Sequence, residues 1–290
     1  MRRGWLRACF LLLLGCAPIG GARSEISTQS SAAGTTLLYI FGKTSDPDPW
    51  PSFGRVRPGA PASSLLNENG DLHGDKRPDL AFHQGSAPAV VWSYWDGSDF
   101  EIAYREWTGA AWTQTLLLTD NVVDDLDPKI AIDASGQPVL AWWRSGQVPA
   151  VFSRRRSIAI WEPESQVSPA DQHARIPSVA VPSDGQVRIS YEVNLGSTRQ
   201  VVVARDDRTS AEGPPAYTPE IVATTPYTGQ TSPQVERRGS RALVTWVHSD
   251  SEVGWSENPS GSWSVPAFEP YSGTDDVDAA RFRIKNRLGP

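Results

Sequence analysis

Two acidic quartets occur in this chain. Residues 124–127 read DDLD and residues 275–278 read DDVD, so Asp124, Asp125 and Asp127 share one connection and Asp275, Asp276 and Asp278 share another. In a repeated β fold those connections would share a face with the loops after each unit's second strand, which carry Tyr94, Trp95, Asp96, Arg144, Asn194, His248 and Asp250. Carboxylates, a guanidinium and flat aromatic rings on one surface can stack a polar ring and hydrogen-bond its edge, which is how a sugar is held. The same acids could hydrolyse a glycosidic bond if two of Asp96, Asp125 and Asp276 face each other at about 5 to 9.5 Å. Repeated Asp also serves turns through bonds from side chain to backbone. Residue types alone leave binding, hydrolysis and turn chemistry open.

Bringing these residues to one face requires a repeated unit. The stretches RPDLAF, DPKIAI, IPSVAV and SPQVER place Pro at 78, 128, 177 and 233, spacings of 50, 49 and 56 residues. Fourteen residues after each of the first three prolines, and thirteen after the fourth, come Trp92, Trp142, Tyr191 and Trp246. A third mark keeps the same period, with Ile102 to Trp112, Val151 to Trp161 and Val253 to Trp263 each ten residues apart. Each unit has room for four short strands separated by Gly, Pro, Asp and Ser, the content of one β-propeller blade. The period predicts that the recurring aromatics pack between blades and leaves Trp95 and Trp143, which follow them, as candidates for recognition. The expected fold is therefore all-β, a propeller over residues 36–290. It is expected to have five four-stranded blades, the last closed by one C-terminal strand near Ala279 and three N-terminal strands, TLLYIFG, SFGRVR and ASSLLNENG. Such closure would remove exposed sheet edges.

The turns YREWTGAAW and SENPSGSW, with IAIDASGQPVLAWW, resemble the degenerate repeats of the sialidase-like propeller superfamily. That resemblance implies a glycan-related propeller and admits a glycoside hydrolase as the alternative to a non-catalytic binding or scaffold module. No complete Ser-x-Asp-x-Gly-x-Thr-Trp box is present, and Phe282-Arg283-Ile284 stands at the wrong end of the chain for the enzymes' Phe-Arg-Ile-Pro. No hydrolase elbow, zinc helix, phosphate loop or dinucleotide fingerprint occurs either, and His73, His83, His173 and His248 lack ligand spacing. No catalytic residue is selected, and the reading leans away from an enzyme. The segment DLHGDKRPDL resembles the calcium loop of integrin-type propeller repeats, implying Asp71, Asp75 and Asp79 as Ca2+ ligands. His73 and Lys76 depart from that pattern.

At the N-terminus Arg2, Arg3 and Arg7 precede a short apolar run, which reads as a signal segment over 1–15. The sequence Leu13-Leu14-Gly15-Cys16 resembles a bacterial lipobox, implying lipidation at Cys16, a flexible tether over 16–35 and a place in the cell envelope, on the outer membrane; ordinary cleavage after Ala22 is the alternative, giving a soluble secreted or periplasmic protein. The membrane is then met through acyl chains only. The two cysteines, Cys9 and Cys16, both fall in this region, so the rest of the chain can form no disulfide. With 27 basic and 33 acidic residues the net charge is −6, which disfavours nucleic acid as a partner. A monomer binding a glycan or a protein is expected, with no cofactor beyond the calcium suggested by that loop.

Overall fold

In the computed structural model, residues 75–271 are described except for 84–86, 159, 209–214, 228 and 260, as are Arg281, Ile284 and the backbone of four N-terminal strands. Those four are β1 (Ile26–Ser30), β2 (Leu37–Gly42), β3 (Pro51–Val56) and β4 (Ala62–Leu65), which pair in that order. Blade 1 follows with β5 (Lys76–Phe82), β6 (Pro88–Trp95), β7 (Phe100–Glu106) and β8 (Leu116–Leu117). Blade 2 comprises β9 (Asp125–Ile132), β10 (Pro138–Arg144), β11 (Ala150–Ser157) and an outer strand split into β12 (Ile160–Trp161) and β13 (Ser165–Gln166). Blade 3 has β14 (Ala174–Ala180), β15 (Arg188–Asn194), β16 (Arg199–Asp206) and β17 (Tyr217–Thr225). Blade 4 has β18 (Gln234–Arg238), β19 (Arg241–Ser249), β20 (Glu252–Asn258) and β21 (Ala267–Pro270). Every blade is an antiparallel meander, and the inner strands β5, β9, β14 and β18 lie side by side.

Three of the recurring aromatics are wedges between blades, while Trp92 packs with Leu80, Val90 and Ala103 of its own blade. Trp92, Trp142, Tyr191 and Trp246 are all fully buried. Trp142 of blade 2 packs with Ala81, Val91 and Ile102 of blade 1, Tyr191 of blade 3 with Val139 and Ala141 of blade 2, and Trp246 of blade 4 with Val201 and Val203 of blade 3. Burying such a ring is worth several kcal/mol, about 3–5 by the cost of truncation to Ala. Space for the last is made by Gly254, which pairs with Trp246 across the hairpin. A Cβ at Gly254 would meet the indole at 2.3 Å, so only Gly fits where the other blades carry Ala103, Phe152 and Val202. The turn tryptophans Trp112, Trp161 and Trp263 are half-buried against the same clusters, and Trp161 meets Tyr104 of blade 1 edge-on at 5.1 Å.

The prolines that set the period mark a bulge. Pro78, Pro128, Pro177 and Pro233 are buried, and the residue before each has positive φ: Arg77 at 53°, Asp127 at 53°, Ile176 at 56° and Ser232 at 42°. Residues before proline prefer extended backbone, and a left-handed, β-branched Ile is a conformational outlier. Each costs about 1–3 kcal/mol and persists only when its surroundings over-determine it. In blades 1, 2 and 3 the ladder between first and second strands slips at this point, the sign of a bulge. The next residue ties the inner strand to the following blade: Asp79 Oδ2 accepts the Ile130 amide at 2.9 Å, and Ser178 Oγ accepts the Val235 amide at 3.2 Å.

Two expectations are corrected. Among the described residues the repeat builds four blades, not five, and the four N-terminal strands form a sheet of their own. The N-terminal strands do stand second, third and fourth in their own sheet, but its first strand is β1, from within the segment expected to be a tether, and among the described residues no C-terminal strand joins it. Where a closing strand was predicted, Arg281 and Ile284 have helical backbone. Ile284 is buried there with Leu243 and Val253, and Arg281 donates to the Ser232 carbonyl at 2.5 Å, so these two residues pack on blade 4 instead.

Candidate functional site

Antiparallel pairing brings the start of each inner strand beside the end of its second strand, so one face carries 75–77, 94–99, 124–127, 143–148, 173–176, 194–199 and 248–252. On it, residues flanking the prolines of three blades make a continuous strip. The Arg77 guanidinium meets Asp127 Oδ1 at 2.9 Å, Asp127 Oδ2 accepts the Trp143 indole N–H at 2.9 Å, and Arg175 lies over the Trp143 ring at 4.8 Å. Arg77 and Arg175 are exposed, while Asp127 and Trp143 are half-buried. The strained backbone at Arg77 and Asp127 is part of what aims these two side chains. Lys76 joins the same face with its ammonium 4.0 Å from the Phe100 ring centroid. The strip offers a flat ring, two guanidiniums and one carboxylate, donors and acceptors suited to a polar ring with an anionic substituent.

The predicted site residues divide into groups by blade. Asp125 is fully buried and structural: it accepts the Trp142 indole N–H at 2.9 Å, two Arg144 bonds at 2.8 Å each and the Asn121 amide at 2.8 Å. Burial raises its pKa, opposed by Arg144 and Asn121. Arg144 is held on its other side by Glu164 at 2.7 and 2.8 Å and lies over Phe152 at 4.4 Å; burial lowers its pKa, but Glu164 and Asp125 outweigh that and raise it. Asp124 accepts the Phe100 amide at 3.1 Å, tying blade 2 to the hairpin loop of blade 1. In that loop Asp96 is exposed and accepts from the Ser98 and Asp99 amides at 2.8 and 3.1 Å, bonds that lower its pKa. Tyr94 and Trp95 are half-buried, Trp95 edge-on to Phe100 at 5.2 Å.

Asn194, exposed, accepts from the Gly196 amide at 2.8 Å and from Arg199 at 2.6 Å, as a turn residue does. In blade 4 the His248 ring sits 4.3 Å from Phe268, and exposed Asp250 faces the Tyr227 hydroxyl, whose pKa rises chiefly through burial and further through that acid. Thus blades 1 and 2 bring Asp96, Asp124, Asp125 and Arg144 into one neighbourhood, and Asn194, His248 and Asp250 stay with their own blades. Of the implied calcium ligands, Asp75 is buried and accepts the Trp92 indole N–H and the Trp95 amide at 3.0 Å each, and Asp79 makes the link to Ile130 described above. Asp71, Asp275, Asp276 and Cys16 lie outside the described residues.

Arg77 and Arg175 were not anticipated. Their one signal is position, immediately before and two before a repeat proline; Asp127, Ile176 and Ser232 stand where Arg77 does, and Leu126 and Thr231 where Arg175 does, with Lys76 its one cationic counterpart.

No family model and no curated relative matches the sequence. Among solved structures, the Penicillium chrysogenum α-L-arabinanase complexed with arabinobiose is similar with TM-score 0.59 and 11% identity, over 86% of this chain and 81% of that one. A protein of unknown function from Dyadobacter fermentans gives 0.56 and 13%, over 88% and 80%. A PL25 ulvan lyase bound to -[GlcA(1-4)Rha3S]- gives 0.53 and 13%, over 89% and 67%. At such identities the likeness is one of fold, and it supports a β-propeller.

Proposed function

We propose that this chain is a lipid-anchored, non-catalytic β-propeller of the bacterial envelope whose strand-start face binds a glycan. The observation that carries this reading is the strip Arg77–Asp127–Trp143–Arg175, which spans three blades and ends in exposed guanidiniums. Two arginines around one acid favour a sugar bearing carboxylate or sulfate groups, because a guanidinium binds a planar or tetrahedral anion through paired hydrogen bonds. The ligands named for two of the similar structures, arabinobiose and a glucuronate–rhamnose sulfate chain, are sugars, and a sugar is the ligand class taken here. Binding is preferred to hydrolysis because Asp125, the best placed of the candidate acids, spends its oxygens on Trp142, Arg144 and Asn121.

The anchor is Cys16, and Cys16→Ser is expected to move the protein from the membrane to the soluble fraction; retention would remove the anchor from the proposal. Incubation with a panel of fluorogenic glycosides is expected to give no turnover. Turnover abolished by Asp125→Asn or Asp96→Asn in a protein that still folds would replace the binding reading by a hydrolase.

A further inference from the structure

The segment DGSDFE, running from the loop after β6 into the start of β7, collects Asp96, Asp99 and Glu101, with one carboxylate oxygen of each within 4.8 Å of the others. That is the widest separation at which two oxygens can both lie about 2.4 Å from one calcium ion. Two of the three acids are inside the protein: Asp99 is 6% exposed and Glu101 0%. Neither has a basic partner among the described residues, in contrast to Asp125 with Arg144 and Glu192 with Arg199. Asp99 Oδ1 accepts from the Ser98 hydroxyl at 2.6 Å, but its Oδ2 is buried with no hydrogen-bond partner among the described residues. A buried carboxylate oxygen left without a donor is costly and is normally met by hydrogen bonds or metal. Glu101 is fixed by the Asn121 amide at 2.6 Å, and Asp96 by the Ser98 and Asp99 amides, so the acids are held in place rather than free to swing apart.

We infer that Asp96, Asp99 and Glu101 form a calcium site in blade 1. A hard divalent cation fits because all three donors are carboxylates and no His or Cys joins the group among the described residues, and exposed Asp96 leaves one side for water to complete the coordination. The site is distinct from the 71–79 loop, whose described acids serve Trp92 and Ile130. It also sits beside the Asp124–Phe100 bond, so a bound ion would stiffen the contact between blades 1 and 2.

The test is calorimetric titration of Ca2+ into the full-length protein after chelator washing. One ion per chain is expected. Asp96→Asn and Asp99→Asn should weaken binding by about tenfold or more, and Asp71→Asn should leave it unchanged. Asp96 is exposed, and Asn retains the oxygen that accepts the loop amides, so Asp96→Asn decides the matter even if Asp99→Asn fails to fold. No heat from the unaltered protein, equal affinity in Asp96→Asn, or loss confined to Asp71→Asn would overturn the inference.

Discussion

The carboxylate of Asp125 accepts the indole N–H of Trp142 at 2.9 Å, seventeen residues away, and Asp75 accepts that of Trp92 at 3.0 Å across the same interval. An acid three residues before the repeat proline thus caps the recurring aromatic from the polar end, in the two blades that carry it. Removing it would orphan the indole and, in blade 2, leave Arg144 with Glu164 as its one carboxylate partner among the described residues. Asp125→Ala should therefore lower stability by about 3–5 kcal/mol, the range for breaking a buried pair. Asp125→Asn, which keeps an acceptor, should cost clearly less. Urea denaturation followed by tryptophan fluorescence measures both, and equal losses would contradict the capping role.

Blades 3 and 4 lack the cap. Ala174 occupies the equivalent position in blade 3, and the Tyr191 hydroxyl is buried with no partner among the described residues. Burial alone holds its pKa above the ordinary value. Tyr191→Phe should then be neutral or stabilising by up to about 1 kcal/mol, since an unsatisfied buried group is removed without loss of a bond. A substantial drop in the urea midpoint would show that the hydroxyl has a partner after all.

Acid should act at the opposite face, between blades 1 and 2. Glu106 lies 3.4 Å from His83 Nε2 and accepts the Tyr104 hydroxyl at 2.7 Å and Arg156 at 2.9 Å. The neighbouring His83 leads in lowering its pKa to about 2, opposed by burial and reinforced by Tyr104 and Arg156. A carboxylate depressed on folding contributes stability that is complete above its unfolded value of about 4.5 and is lost as pH falls toward 2. Stability should decline over that window by up to about 3 kcal/mol through this group. In Glu106→Gln the decline should be visibly shallower, as read by urea midpoints at pH 5, 4 and 3.

What could be read from the sequence was what recurs and is buried. The proline and aromatic marks gave the blade and its period because each blade repeats the same packing problem. The relation of Asp75 to Trp92 was also present, as the same offset that joins Asp125 to Trp142, but the two acids fell under different readings, a calcium loop and an acidic quartet. The closure was not readable. Ile26–Ser30 is a polar strand whose partner is chosen by backbone pairing with Leu37–Gly42, and no apolar alternation announces it. At the other end, the strand-like RFRI segment gives way to helical backbone at Arg281 and Ile284, with Ile284 reaching the pocket beside Leu243 and Val253. Arg77 and Arg175 escaped notice because neither is an arginine that recurs from blade to blade, and a search for periodicity passes over such positions.

The binding strip itself is tested most directly by titrating the full-length protein with uronate-containing and sulfated oligosaccharides, comparing it with Arg175→Ala and Arg77→Ala. Both side chains are exposed, so neither change should disturb folding. Saturable binding to an acidic glycan is expected, weakened by about tenfold or more in each variant, in line with arginine anchors at interfaces. Failure of the unaltered protein to bind any glycan, or equal affinity in both variants, would contradict the assignment of the strand-start face as a glycan-binding surface.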